Sequence, residues 1–226
     1  MTGNPSPAYV QRVAAVFNNN GSGVRGDLKA VVRAILLDSE ARGAAKTAPD
    51  FGSLREPVLM ITSLIRALNG VTDGSGLGDR ASPLGQRPYY SPTVFNYFQP
   101  DETIPGTSIL APEFTIHNSN SAVSRTNLVY ALVYNGVGAD QSLPGSTGTR
   151  LNTMQFEQYA DNGATLVDRV SEMLVGGPLP AVARDLVVTA VNAIAVSNPL
   201  TAQQRADRAK MAVYLIASSF HYQVQR

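Results

Sequence analysis

The chain has 226 residues, 44% of them hydrophobic, with 18 Lys and Arg against 17 Asp and Glu and a formal net charge of +1. That length and apolar content suit a globular protein able to bury a core, and the balanced charge, free of like-charge blocks, argues against nucleic acid as a partner. Cysteine is absent, which excludes disulfide scaffolds, thiolate chemistry and cysteine zinc sites; the apolar runs are too short and too broken by charge to span a bilayer.

Ser6-Pro7 has the form of a helix start, a capping hydroxyl followed by Pro in the first turn. Val10, Val13, Ala14 and Phe17 then follow the spacing of one buried face, and the Asn/Gly run from Asn18 to Gly23 ends the helix. A second helix is expected from about Asp27 to Arg42. Its buried stripe is Leu28, Val31, Val32, Ile35 and Leu36, with Lys29 and Arg33 in solvent. The two elements read as an antiparallel hairpin. After a polar connection from Gly43 to Glu56, Pro57 opens a third helix with Val58, Ile61, Leu64, Ile65 and Leu68 inward, stopped by Asn69-Gly70. The glycine-rich loop from Val71 to Pro88 is longer than a simple connector needs.

The segment from Ala122 to Tyr134 is apolar nearly all round, which predicts a helix buried on several sides. A second Gly/Ser/Pro loop, from Gly138 to Thr149, precedes a short helix over Met154 to Tyr159. Asp161 is the expected cap of the next helix, with Leu166, Val167, Val170, Met173 and Leu174 inward. Another runs from Pro180 to Val196, with Val182, Leu186, Val187, Ala190, Val191 and Ile194 inward. The last begins at a capping box formed by Thr201 and Gln204 and buries Ala209, Ala212, Val213 and Ile216. No alternating strand pattern and no fixed-period repeat is present. The expected fold is mainly α: one irregular helical domain over residues 1–226, of about seven helices with long Gly/Pro/aromatic-rich loops. Residues 71–121 form its irregular aromatic-rich insert.

Within and just after that insert, the stretch from Gln86 to Asn127 concentrates the aromatic surface. Tyr89, Tyr90, Phe95, Tyr97, Phe98 and Phe114 are six of the nine tyrosines and seven phenylalanines. Pro88, Pro92, Pro100 and Pro105 favour a fixed path in which Tyr89, Tyr90, Phe95, Tyr97 and Phe98 pack as a lid over the helical core. The alternative is a ligand-binding surface in which Tyr89, Tyr90, Phe95, Asn96 and Tyr97 stack on a sugar or peptide. Downstream, Glu113, His117 and Ser121 stand at i, i+4 and i+8. If Pro112 opens a helix they share one face, a carboxylate, an imidazole base and a hydroxyl nucleophile of hydrolase type. The competing structural reading makes Glu113 a first-turn residue and the Asn-Ser run a helix cap. Asp73 and Asp79 in the glycine-rich loop are candidate calcium ligands, the one cofactor the chain suggests, although the EF-hand pattern fails at Leu77 and Leu84. His221 reads as a surface or capping residue.

Several blocks also resemble one bacterial family, that catalogued as domain of unknown function 1800. They are Asn4 to Val10 with Gly26 to Asp38, Ser91-Pro92-Thr93-Val94-Phe95-Asn96, Ala111-Pro112-Glu113-Phe114, and the end from Ala212 to Ile216 with Gln223-Val224-Gln225. The resemblance covers nearly the whole chain and implies the C-terminal part of a longer, helical, exported protein. Its implied partner is a sulfatase-related exported protein encoded beside it. Met1 to Pro7 carry neither the basic nor the apolar region of an export signal. The resemblance supplies no catalytic residue, and His117 stands where the family pattern has a bland residue. The leading functional expectation is an interaction or scaffolding domain; the alternatives are a hydrolase of ester or lactone type near Glu113 to Ser121, and a carbohydrate-binding module.

Overall fold

The computed structural model describes residues 4–43, 51–194 and 197–225. The first residues, part of the connection expected over 43–56, and the end of the helix expected over 180–196 lie outside the described residues. Helix accounts for 55% of the structure and strand for 6%, so the protein is mainly α, as its patterning implies. In chain order, α1 (Pro7–Asn18), α2 (Leu28–Leu37) and the single turn α3 (Ser39–Arg42) are followed by β1 (Ser53–Leu54), α4 (Pro57–Ala67), β2 (Val71–Thr72) and α5 (Leu77–Ala81). Beyond the aromatic segment come α6 (Ser119–Tyr130), a π-helical turn (Ala131–Asn135), β3 (Thr149–Arg150), α7 (Met154–Glu157) and α8 (Gly163–Val175). The chain then forms α9 (Ala181–Asn192), α10 (Ala202–Ser218), α11 (Phe220–Gln223) and β4 (Val224–Gln225). Two short antiparallel ladders join β1 to β4 and β2 to β3. The chain divides into two compact units, one drawn from 1–54, 98–114 and 224–226, the other from 55–97 and 115–223.

The first unit is built on the α1–α2 hairpin. The Ser6 hydroxyl caps α1 by accepting from Tyr9 N, and Ser6 also donates from its backbone and its hydroxyl to Glu40, both at 2.7 Å. Arg12 grips Asp38 with two bonds of 2.7 Å, and the Tyr9 hydroxyl donates to Ile35 O. These ties join the start of α1 to the end of α2 and fix the antiparallel pairing. Asp38 also ends α2, because its carboxylate accepts from Glu40 N and starts a new turn, so the helix expected to reach Arg42 is broken there. The expected buried stripes are a sharper departure. Val10, Ala14 and Phe17 of α1, and Leu28, Val32 and Leu36 of α2, are exposed. The helices meet instead through the adjoining arc of Tyr9, Val13 and Val16 against Val31, Ala34 and Ile35, which is buried or half-buried. An apolar stripe of about 100° is wider than one partner helix covers.

In the second unit α10 is central and packs against α6, α7, α8 and α9. Ala209, Ala212 and Ala217 are completely buried beside Val213 and Ile216, and their small size lets the neighbouring helices approach closely. Leu166, Val167 and Val170 of α8 and Met60, Ile61 and Leu64 of α4 complete the core. The Thr201–Gln204 capping box forms as expected. From α10, Arg208 donates to the carbonyls of Asn192 and Ile194, satisfying acceptors left at the end of α9, and to that of Ala160 just before α8. The chain end folds back: Tyr222 donates to Met60 O at 2.9 Å, and Arg55 N donates to Gln223 O. Three local expectations change. Asn162, not Asp161, caps α8, and Asp161 pairs with Arg205. In α9 Val182 and Leu186 face solvent, as does Met173 of α8, leaving Val191 as the buried anchor of α9. Finally, α6 buries one face and leaves Val123 and Tyr130 exposed.

Candidate functional site

The aromatic loop is fastened at its start by two residues of opposite character. Gly85 has φ +85°, and a Cβ there would stand 2.8 Å from Ile116 Cβ, so only glycine passes this point without displacement. Gln86, almost fully buried, accepts from Val58 N and donates to Glu56 Oε2 at 2.7 Å. It supplies the acceptor that the first turn of α4 lacks. From there the chain turns outward. The Arg87 guanidinium lies 4.1 Å from the centre of the Tyr90 ring, and the Arg87 carbonyl accepts from Tyr90 N and from the Tyr97 hydroxyl. Within the loop, Asn96 N donates to Thr93 O at 3.1 Å and Phe95 N donates to Thr93 Oγ1. Tyr89 and Asn96 have positive φ, 66° and 69°. Asn tolerates that conformation, whereas for a bulky ring such as Tyr it costs about 1–2 kcal/mol.

Most side chains of this loop are turned to water, while Tyr97 is half-buried. Tyr89 is 102% exposed and Val94 95%, and Tyr90 and Phe95 are exposed as well. Tyr89, Tyr90 and Phe95 therefore do not form the lid expected over the core, whereas Tyr97 and Phe98 are half-buried. Tyr89, Tyr90, Phe95, Asn96 and Tyr97, the expected ligand-binding group, do come together on one small, internally bonded loop.

The polar residues downstream do not share one helix. Pro112–Ile116 forms a 3-10 turn, and Asn118, with φ −137° and ψ 178°, interrupts the helical path before α6 begins. Glu113 belongs to the first unit, His117 and Ser121 to the second. Ser121 is 3% exposed, and its hydroxyl accepts from Asn118 N at 2.8 Å and donates to Asn118 O. With Asn118 Oδ1 accepting from Ser121 N it completes a reciprocal cap. His117 is half-buried just before that cap; burial, and then the Arg125 cation, hold its pKa below the ordinary histidine value.

Arg125, one turn below Ser121 on the buried face of α6, belongs to no motif that marks it in the sequence. It is 1% exposed; Nη1 donates to Arg55 O at 2.9 Å and lies 4.0 Å from Met60 Sδ, while Nε has no hydrogen-bond partner among the described residues. The ion pairs formed among the described residues do not include it. Burial pushes its pKa down to about 10. The signal in the sequence is its place in the series Ser121, Arg125, Leu128 and Val129, which stand at i, i+4, i+7 and i+8 along one helical face.

Asp73 and Asp79 have separate surroundings. One oxygen of Asp73 accepts from Ser75 N and Ser75 Oγ, the other from Ser146 Oγ, Thr147 N and Gly148 N. These donors, the Ser75 hydroxyl foremost, hold the Asp73 pKa well below the usual carboxylate range. A cation at Asp73 would have to displace them. The exposed Asp79 carboxylate stands 3.8 Å from Arg87. Among the described residues no group of three or more His, Asp or Glu side chains could hold a metal ion, and no helix is long and apolar enough to cross a membrane.

A family model described as protein of unknown function (DUF1800) matches residues 1–224. The chain belongs to that family. No curated protein and no solved structure is matched by it. For this DUF1800 chain the arrangement offers two distinct environments: an outward aromatic loop on a constrained backbone, and an inward cap with a buried cation beneath it.

Proposed function

We propose that this DUF1800 chain is an interaction domain of an exported protein, and that the loop over residues 87–97 inserts into an apolar groove of a partner protein. The observation that carries this reading is Tyr89, a fully exposed ring on a left-handed backbone in a loop whose own hydrogen bonds fix it. Backbone strain of this kind persists where the surroundings over-determine it and concentrates at binding sites. Burying Tyr89, Tyr90, Val94 and Phe95 together would contribute on the order of 10 kcal/mol before association costs. Little of that is lost to ordering, since the loop is already fixed. A projecting loop suits a groove on a protein better than it suits a sugar, because sugar sites are concave and enclose their ligand. The sulfatase-related exported protein implied by the family is the partner proposed.

The test is isothermal titration of the purified chain with the purified product of the neighbouring sulfatase-related gene. Tyr89→Ala combined with Phe95→Ala is expected to weaken binding by about 30-fold or more, the range of a central aromatic anchor, with an unchanged far-UV CD spectrum. No binding by the wild type, or equal binding by the double variant, refutes the reading. The hydrolase alternative predicts turnover of an ester or lactone panel that Ser121→Ala and His117→Ala both abolish, and the carbohydrate alternative predicts hits on a glycan array.

A further inference from the structure

We propose that the exposed apolar face of the α1–α2 hairpin is an interface between two copies of this chain, closing two hairpins into a four-helix bundle. The face belongs to the first unit and the aromatic loop to the second, and the proposal does not depend on that loop's partner.

Its geometry follows from the helical repeat. On α1 the exposed Val10, Ala14 and Phe17 are displaced by about 100° from the buried arc of Tyr9, Val13 and Val16. On α2 the exposed Leu28, Val32 and Leu36 are displaced in the same rotational sense from Val31, Ala34 and Ile35. Because the helices run antiparallel, the same sense of rotation puts both stripes on one side of the hairpin. The result is a single apolar surface two helices wide, with Leu28 67% and Val10 54% exposed.

The area matches what a dimer needs. At their exposures these six side chains present on the order of 500 Å² of apolar surface. A standard interface takes about 800 Å² per partner, of which a little over half is apolar. The spacing on both helices repeats every three or four residues, the pattern that interlocks across a bundle. A two-fold axis brings one copy of the face against the other, so a surface that is uniformly apolar complements itself.

Charge sets which helix meets which. The only charged residue of α1 is Arg12, already engaged by Asp38 and Glu40. On α2, Lys29 and Arg33 lie just beyond the apolar stripe. Packing α2 of one copy beside α1 of the other places these cations along the uncharged edge of Gln11, Ala15 and Asn18. Packing α2 beside α2 would set like charges together. The first arrangement is the one proposed.

Sedimentation velocity of the full chain over a range of concentrations tests the proposal. The wild type is expected to sediment at twice the 24.0 kDa chain mass. Leu28→Glu with Val32→Glu is expected to weaken self-association by at least about 30-fold. Both positions are exposed and helical, so the fold should tolerate them, which CD checks. Leu37→Glu, at an exposed apolar position on another side of α2, serves as the control and should leave the dimer intact. Since the chain has no cysteine, Leu28→Cys and Lys29→Cys add a second readout: with Phe17→Cys on the partner, which lies level with Leu28 at the loop end of the hairpin, only the first should cross-link efficiently. A monomer at every concentration, or a dimer that ignores Leu28→Glu with Val32→Glu, overturns the proposal. So does a monomer that co-sediments with phosphatidylglycerol vesicles and loses that binding in the same variant. The Tyr89→Ala, Phe95→Ala variant should remain dimeric, which separates a failure here from a failure of the loop reading.

Discussion

Replacing Tyr222 by Phe should weaken the protein at neutral pH and strengthen it in strong alkali. The Tyr222 ring is 1% exposed and its hydroxyl donates to Met60 O at 2.9 Å. Removing that bond costs about 1 kcal/mol, near the usual net value, because inside α4 the Met60 carbonyl also serves the helical ladder. Alkali reverses the balance. Burial pushes the Tyr222 pKa up to about 12 from 10.0, against a smaller opposing influence of Arg55. A folded pKa above the unfolded value means stability fully present below the unfolded value and lost as pH rises through the folded one. The window is therefore pH 10 to 12, and two units correspond to roughly 2.7 kcal/mol. At pH 11 the wild type should have lost about 1.4 kcal/mol through this group, so the two proteins should become about equally stable near there and Tyr222→Phe should lead above it. Urea unfolding followed by CD at pH 8, 10, 11 and 11.5 measures the difference directly. Titration of Tyr9 and Tyr134, whose pKa values burial also raises, is common to both proteins and cancels. A stability difference that stays constant from pH 8 to 11.5 would refute the claim that the buried phenol carries this pH dependence.

Other substitutions probe the neighbourhood of the candidate site. Ser121→Ala removes the reciprocal cap of α6 and should cost about 1–2 kcal/mol in urea unfolding, typical of losing an N-terminal capping interaction. Gly85→Ala adds a Cβ at 2.8 Å from Ile116 at φ +85°; the backbone penalty alone is about 1–2 kcal/mol, and unfolding midpoints should fall accordingly. Arg125→Met should be near neutral or stabilising in urea unfolding, within about 1 kcal/mol. The desolvation it relieves is on the order of 3 kcal/mol, offset by a lost charged hydrogen bond of about 1.5–3 kcal/mol. Arg125→Ala, which leaves a cavity as well, should be clearly destabilising.

The contrast between caps and faces explains what the sequence makes legible. Ser6-Pro7 and Thr201–Gln204 act within four residues of themselves, and both form as their spacing implies. Periodicity, by contrast, says that a face is apolar without saying what covers it. Val10, Ala14 and Phe17 of α1 and Val182 and Leu186 of α9 have the spacing of buried residues, yet face water. At the polar site the i, i+4, i+8 spacing assumed an unbroken helix, and the extended backbone at Asn118 removes that assumption. Arg125 was hidden for another reason: a cation inside an apolar helix looks like a surface residue until its neighbours are known. The prolines around the aromatic loop favour a fixed path, but such a path can hold rings outward as well as inward.

Asp73 gives the two glycine-rich loops a shared fate. Its bonds to Ser75 and to residues 146–148 join segments more than seventy positions apart, beside the β2–β3 ladder. An insertion or deletion within residues 73–75 or 146–148 would therefore displace both loops. The tip around Leu143 to Gly145 lies between the donors at Asp140 and Ser146 and carries none of the bonds to Asp73. It is the natural place to graft an epitope or a fluorophore without loosening either loop.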